Sequence, residues 1–206
     1  MKVSLEITFA AVASGMVWGT FLAMMRLSTR PELSYFATGY VTVFRSVPLV
    51  MVLLWFFLVT PQLLRSLLGL DASTDARLGS AAVAFSLFES AYYAEIIRAG
   101  IGSVSTGQLA AASALGLTYG QSMRLVVLPQ ALRNMLPLLL TQAIICFQDT
   151  SLVYVSALGD FFGVASKIGE RDGRLVELLL FAGASYFALS YGASTAIGRL
   201  GRRRKH

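Results

Sequence analysis

Long apolar runs alternate with short polar stretches along the whole chain. Runs close to the roughly 20 residues needed to cross a hydrocarbon core lie at 3–25, 47–64, 78–97, 135–158 and 175–198. Few of these positions carry a charge, and none of the runs shows the strict alternation of a half-buried strand. The pattern therefore predicts an all-α integral membrane protein of about five transmembrane helices, with residues 1–206 forming a single transmembrane domain.

Composition and charge agree with this class and add an orientation. Of the 206 residues, 56% are hydrophobic and 14% are charged, and the mean hydropathy is +0.68. The hydrophobic fraction and the mean hydropathy are higher, and the charged fraction is lower, than in a soluble domain. Most basic residues beside the spans fall on one side, and the positive-inside rule makes that side cytoplasmic. We expect the N-terminus outside and the C-terminus inside. The basic tail 201–206 is interpreted as an anchor to anionic lipid rather than a nucleic-acid site.

The longest polar interval in the middle of the chain, residues 105–129, predicts two short cytoplasmic helices. Each helix is predicted to begin with a capping box, Ser105 with Gln108 and Thr118 with Gln121. Gly116 stands where a left-handed cap would end the first helix, and Pro129 is expected to stop the second. A hairpin of this kind is small enough to enter a groove on another protein.

The spacing within this interval resembles the coupling loop of bacterial ABC importer permeases. The chain reads Ala110-Ala111-Ala112, Gly116, Val126 and Leu128-Pro129, and departs from the family only where Ala110 replaces a glutamate. The resemblance implies that the loop docks on an ATPase subunit through Gly107, Ala110, Ala111, Ala112, Gly116, Leu128 and Pro129. On the residues alone, an Ala-rich amphipathic hairpin lying on the membrane surface is the alternative.

Further motifs resemble the polar amino acid branch of these permeases. They are Phe44-Arg45-Ser46-Val47-Pro48-Leu49 and Asp149-Thr150-Ser151-Leu152, and the segment 168–173 looks most like glutamate/aspartate importers. The resemblance implies the type I importer fold and import of an amino acid, with glutamate and aspartate as the expected substrates. It also implies a multi-pass location in the bacterial inner membrane and alternating access driven by a partner.

The partners implied by the resemblance are an ABC ATPase dimer, a second permease subunit that is either a paralogue or a copy of this chain, and a periplasmic solute-binding protein. The sequence contains no G-x-x-x-x-G-K-[ST] phosphate loop, and no catalytic or metal-binding motif. We expect the chain to be no enzyme itself, with ATP and Mg²⁺ bound by the ATPase subunit.

Polar side chains inside the predicted spans are the candidates for a transport role, because ionisable groups are costly in hydrocarbon. Glu89 has either a direct role in transport or is neutral and bonded to a neighbouring helix. Gln142 suits helix–helix association. The contiguous polar stretch is expected to line either the translocation path or the contact with a second permease: Gln148, Asp149, Thr150 and Ser151.

Three charged residues near the span ends are interpreted as interfacial anchors. Glu95 and Arg98 are three apart on a helix and are expected to pair. Arg45 either snorkels to the interface or supports a subunit contact. The outer segment 159–174 is expected to be an exposed loop where a binding protein docks, or a plain solvated loop.

Two other functional classes remain open on the sequence. A secondary, ion-coupled carrier would use Glu89 and Asp149 as ion sites, although five spans without an internal repeat fit it poorly. A structural membrane subunit without an ATPase partner would have no reason to keep the coupling-loop spacing. Permeases of this kind usually carry a further stretch before the first span, so we expect the natural chain to begin earlier.

Overall fold

In the computed structural model, which describes residues 1–69, 77–156 and 158–203, every regular element is helical. The elements in chain order are α1 (Lys2–Arg26), α2 (Pro31–Ser46), α3 (Leu49–Leu68), α4 (Arg77–Gly102), α5 (Thr106–Ala114), α6 (Tyr119–Ser122), a π-helical turn (Met123–Val127), α7 (Leu128–Asp149), a 3₁₀ segment (Thr150–Ser156), α8 (Phe161–Asp172) and α9 (Leu175–Arg203). The all-α prediction is confirmed.

Helix α4 lies at the centre of the bundle, in contact with α1, α2, α3 and α7. One apolar core joins α1, α3 and α4 through residues such as Ile7, Leu53 and Phe85, which are almost completely buried. A second core joins α1, α4 and α7 around Tyr93 and Met135. Helix α4 is therefore covered by protein on most of its surface.

Helices α1 and α4 approach closely because α1 carries glycine where the two backbones meet. A Cβ atom built on Gly19 would lie 2.7 Å from the Tyr93 Cβ and 2.8 Å from the Ser90 carbonyl oxygen, and one on Gly15 would lie 3.2 Å from the Glu89 Cβ. The pair is separated by three residues, the small-x-x-x-small spacing of close membrane helices. This signal was present in the sequence, and our sequence analysis missed it.

Each of the five predicted spans coincides with a helix over most of its length, but length and composition support fewer crossings. In the described part of the chain, Lys2–Arg26, Tyr119–Ser156 and Leu175–Arg199 are long and apolar enough to cross a membrane. A fourth is added if Pro31–Ser46 and Leu49–Val59, which are bent by 104°, count as one broken span. Helix α4 does not meet that test. The polar residues of α4 pack against protein rather than lipid, so the helix can still cross the membrane. That α4 crosses the membrane stays a prediction, as does the orientation of the termini.

Large apolar side chains remain exposed on the outer helices. Phe9 on α1, Leu67 on α3 and Leu180 and Phe187 on α9 are each more than two thirds exposed. A soluble monomer would not expose so many such side chains, whereas lipid or a second membrane subunit would cover them.

Two segments that lie between the predicted spans also form helices. The stretch after the first span forms α2, because Pro31 takes the first helical position, where its missing N–H costs nothing. The stretch 159–174, expected to be an exposed loop, contains α8. The Asp160 carboxylate accepts hydrogen bonds from the N–H groups of Phe162 (3.0 Å) and Gly163 (3.2 Å), and Gly173, at φ +68°, ends the helix.

Candidate functional site

A cavity of about 500 Å³ lies between the bend that joins α2 to α3, helix α4 and helix α7. Its lining residues are Arg45, Ser46, Val47, Pro48, Leu49, Phe88, Tyr92, Gln142, Ile145 and Asp149. The bend forms because Val47 is extended before Pro48, whose ring disfavours helical geometry at the preceding residue. A break in a membrane helix is tolerated where it lines a cavity.

The two sides of the cavity carry opposite polar chemistry. The α2–α3 bend contributes the cation Arg45, whose guanidinium carbon lies 5.7 Å from the centre of the Tyr92 ring. Helix α7 contributes Gln142 and Asp149, which are seven residues apart and so share one face about two turns apart. A molecule that carries both a carboxylate and an ammonium group matches this arrangement.

Beside the cavity, the Glu95 carboxylate contacts three arginines. Glu95 accepts hydrogen bonds from Arg26 at the end of α1 and from Arg98 on α4, and its Oε2 lies 3.6 Å from Arg45 Nη1 at the end of α2. The predicted Glu95–Arg98 pair is confirmed. The contribution of Arg26 was not predicted, because no local spacing relates residue 26 to residue 95.

Glu89 and Gln142 form a direct contact between α4 and α7. The Gln142 amide nitrogen donates to the Glu89 Oε2 at 3.0 Å, and the Glu89 side chain is completely buried. Glu89 does not line the cavity; it lies behind Gln142, which does. The structure contains the hydrogen bond to a neighbouring helix that was one of the two roles considered for Glu89. A direct role in transport stays a prediction.

The polar stretch 148–151 is divided among different surroundings. Asp149 lines the cavity, Gln148 is exposed and does not line it, and Ser151 is half-buried. Thr150 is buried, and its hydroxyl donates to the Phe147 carbonyl oxygen at 2.6 Å. Successive helical residues point about 100° apart, so they cannot all line one path.

The segment 105–129 forms the predicted helix–turn–helix. Gly116, at φ +83°, is the left-handed residue of a Schellman cap. In this cap the Gly116 N–H donates to Ser113 O (2.9 Å) and the Leu117 N–H donates to Ala112 O (3.1 Å). The capping box of Thr118 and Gln121 is complete, as predicted.

The capping box predicted at Ser105 is only half formed. The Ser105 hydroxyl accepts from the Gly107 N–H at 3.3 Å. The Gln108 side chain does not return the bond, because its Oε1 accepts from the Gln130 amide on α7 at 3.2 Å. A second bond, from the Asn134 amide to the Ser103 hydroxyl at 2.9 Å, also ties α7 to the end of α4. The hairpin is therefore fixed to α7, and α7 in turn to the end of α4.

Pro129 does not stop the second helix, contrary to the prediction. It occupies the first turn of α7, and the π-helical turn Met123–Val127 precedes it. The N–H of Leu128 donates to the carbonyl of Met123, five residues back. This wider turn accommodates the proline that follows it, and the helix continues. The structure therefore contains one continuous helical segment, Tyr119–Ser156, from the hairpin to the cavity wall.

The hairpin exposes an apolar surface of its own, which we call the hairpin tip: Leu115 is 83% exposed, Tyr119 70% and Leu125 62%. Within the alanine run, Ala112 is buried against the protein, whereas Ala110 and Ala111 are exposed. Gly107, Leu128 and Pro129 are also exposed. The residues expected to dock on a partner are thus accessible, with the exception of Ala112.

Comparison with known proteins shows the family of the chain. Residues 15–206 match the family described as the inner membrane component of binding-protein-dependent transport systems. The chain is 60% identical over 203 residues to the glutamate/aspartate import permease protein GltK of Escherichia coli O157:H7, which covers 98% of this chain and 91% of the relative. It is 34% identical over 189 residues to the arginine transport system permease protein ArtQ of Bacillus subtilis, covering 92% of this chain and 83% of that protein.

Solved structures share the fold. An amino acid ABC transporter crystallised with histidines superposes with a TM-score of 0.87 at 32% identity, covering 98% of this chain and 91% of the other. The MetNI methionine ABC transporter, in an inward-facing conformation, superposes with a TM-score of 0.79 at 22% identity over 98% of this chain and 92% of the other, which supports the fold alone. The chain belongs to the family of inner membrane components of binding-protein-dependent transport systems.

Proposed function

We propose that this chain is the membrane subunit of an ATP-driven importer of acidic amino acids. The observation that carries the proposal is the continuous helical segment Tyr119–Ser156, which joins the exposed hairpin tip to the wall of a zwitterion-compatible cavity. The name of the relative at 60% identity, a glutamate/aspartate import permease, supports the substrate.

The cavity fits the two groups that all amino acids share. Arg45 is the cation available to the α-carboxylate, since guanidinium groups bind carboxylates in two parallel hydrogen bonds. The acceptors on α7, Gln142 and Asp149, suit the ammonium group. Phe88, Ile145 and Leu49 supply the apolar lining that small-molecule sites usually have.

The charge beside the cavity favours an acidic substrate over a basic one. Glu95 is shared by Arg26, Arg45 and Arg98, and with the Asp149 carboxylate on the opposite wall counted as well, one more positive charge than negative remains around the cavity. Arg26 and Arg98 hydrogen-bond Glu95, whereas Arg45 pairs with it at 3.6 Å without a hydrogen bond, so Arg45 keeps its donors for another carboxylate. A second carboxylate in the substrate would be attracted by the same excess of positive charge.

In this proposal the hairpin tip docks on an ABC ATPase, which binds the ATP and Mg²⁺. Closure of an ATPase dimer would displace the hairpin, and the bonds of Gln108 to Gln130 and of Ser103 to Asn134 would pass the movement to α4 and α7. Helix α7 alone is about 33 Å long and ends at Asp149. A push at the cytoplasmic end would therefore tilt one wall of the cavity.

The remaining partners follow from exposed surfaces. The polar Gln148, which is exposed but does not line the cavity, is proposed to contact a second permease subunit rather than lipid. Helix α8, on the side of the bundle away from the hairpin, is proposed to receive a periplasmic binding protein. The assembly would sit in the bacterial inner membrane with the hairpin in the cytosol.

The test is selectivity of uptake by the reconstituted assembly. Vesicles containing this chain, its ATPase, the second permease and the binding protein are given labelled glutamate with an excess of unlabelled competitor. We expect aspartate to compete and glutamine, histidine and arginine to compete weakly. Strong competition by arginine, with none by aspartate, would refute the proposal that the substrate is an acidic amino acid. It would not affect the assignment of the family.

A further inference from the structure

Glu89 is buried at the centre of the protein in a way that packing does not explain. Its side chain is completely buried on α4, and the close approach of α1 at Gly15 covers it from one side. Its Oε2 accepts from Gln142, whereas Oε1 has no hydrogen-bond partner among the described residues. An apolar side chain of similar size would avoid the cost of burying this group. We therefore expect the Glu89 carboxyl to have a functional role.

The contact that Glu89 makes determines which end of the Gln142 amide faces the cavity. A glutamine side chain ends in a donor nitrogen and an acceptor oxygen, which point to opposite sides of the group. In this contact the Glu89 Oε2 atom accepts, which requires the carboxyl to be ionised or to carry its proton on Oε1, and it therefore meets the nitrogen of Gln142. The carbonyl oxygen is then turned away from Glu89, on a residue that lines the cavity.

With this orientation, both polar residues that α7 brings to the cavity, Gln142 and Asp149, offer acceptor oxygens. A freely rotating amide would present its donor nitrogen part of the time, and a donor repels an ammonium group and attracts a carboxylate. The orientation matters most for a substrate with several carboxylates and one ammonium group, because the wrong amide orientation would stabilise the substrate bound in reverse.

We propose that Glu89 is a positioning residue, which holds Gln142 so that its carbonyl oxygen accepts from the ammonium group of the transported amino acid. Glu89 does not touch the substrate in this arrangement; it acts through Gln142. This inference rests on the proposed function, because it requires the cavity to bind an acidic amino acid.

The test compares glutamate with glutarate, which is the same molecule without the amino group. Binding of labelled glutamate, and its displacement by glutarate, is measured on the purified complex of this chain with its ATPase and second permease, without the binding protein. In Glu89→Gln the contact becomes an amide pair in which either partner can donate, so the orientation is lost. A hydrogen bond to a charged group contributes enough for us to expect the preference for glutamate over glutarate to fall about tenfold.

Further variants separate positioning from a general structural effect. Gln142→Leu should lose the preference to a similar extent, and Glu89→Gln added to Gln142→Leu should cause no further loss, because Glu89 acts only through the amide. The exchange Glu89→Gln with Gln142→Glu keeps a donor facing a carboxylate and should restore the preference. Glu6→Gln, the same change at an exposed glutamate on α1, is the control and should change nothing.

The outcomes distinguish this inference from the proposed function. If the native complex binds neither ligand, the proposal of an acidic substrate is wrong, and the positioning role of Glu89, which depends on it, is wrong as well. If the native complex prefers glutamate and Glu89→Gln keeps that preference, the proposed function stands and the positioning role is wrong. If Glu89→Gln does not fold, the exchanged pair decides, since loss of the preference in that folded variant also contradicts the proposal.

Discussion

Substitution of Gly116 is the perturbation whose effect on coupling follows most directly from the structure. The residue has φ +83°, and a Cβ built on it meets no heavy atom within 4 Å. Any cost of a side chain is therefore conformational rather than steric. For an L-residue such as alanine, the left-handed conformation costs about 1–2 kcal/mol, while asparagine tolerates it better.

That cost should appear as weaker docking of the ATPase. If the Schellman turn must be formed for the hairpin to dock, 1–2 kcal/mol corresponds to about a fivefold to thirtyfold loss of affinity in Gly116→Ala. Gly116→Asn should lose less. Gly116→Glu adds a charge at the turn and should uncouple ATP hydrolysis from uptake while the protein remains in the membrane.

The assay is the affinity of the purified ATPase subunit for the permease in detergent, together with the ratio of amino acid taken up to ATP hydrolysed in vesicles. Gly102→Ala is the matched control, because Gly102 is helical and its Cβ would also meet open space. Equal affinity for the native chain, Gly116→Ala and Gly116→Asn would refute the role of the turn. Normal uptake by Gly116→Glu would refute the docking assignment itself.

Three other predictions follow from single contacts. Gly19→Ala should lower the free energy of unfolding by about 2 kcal/mol and Gly15→Ala by less, because only the first overlaps a backbone atom of α4; thermal unfolding of the purified protein measures both, and the reverse order would contradict the packing. Glu95→Gln should destabilise the protein by about 2 kcal/mol, since it leaves Arg26 partly buried without its counter-ion; unchanged thermal stability would show that the cluster contributes nothing. Arg45→Gln should raise the KM for uptake about tenfold at normal membrane levels, whereas an unchanged KM would remove Arg45 from the substrate site.

Local chemistry accounts for the parts of the fold that the sequence predicted well. The Thr118 box and the left-handed Gly116 depend on side chains a few residues apart, and both are in the structure. The long helices follow from uninterrupted apolar runs. These features depend little on what packs against them.

The errors have a common cause, which is that neighbouring elements change the effect of a local signal. Pro129 was expected to end a helix, but a π-helical turn precedes it and the helix continues through it. Gln108 was expected to close a capping box, but Gln130 on another helix bonds it instead. Helix α8 was missed although Asp160 and Gly173 mark its ends, because the charged residues between them resembled a solvated loop.

The candidate site was identified by residue type but not by geometry. Asp149, Gln142 and Arg45 were each singled out, yet no sequence spacing brings residue 45 to a cavity with residue 149. The division between Gln148 and Asp149 follows from the helical period, which separates adjacent side chains. The pairing of Glu89 with Gln142 depends on how α4 packs against α7, which local patterns do not determine.

The central claim is that movement through this chain is driven by an ATPase docked on the hairpin. The most direct measurement is glutamate uptake into vesicles that contain the complete assembly, with ATP enclosed or absent and with all ion gradients collapsed by ionophores. We expect full uptake with ATP and none without it, and loss of uptake in Gly116→Glu. Uptake driven by a sodium or proton gradient without ATP would contradict it and would instead favour an ion-coupled carrier.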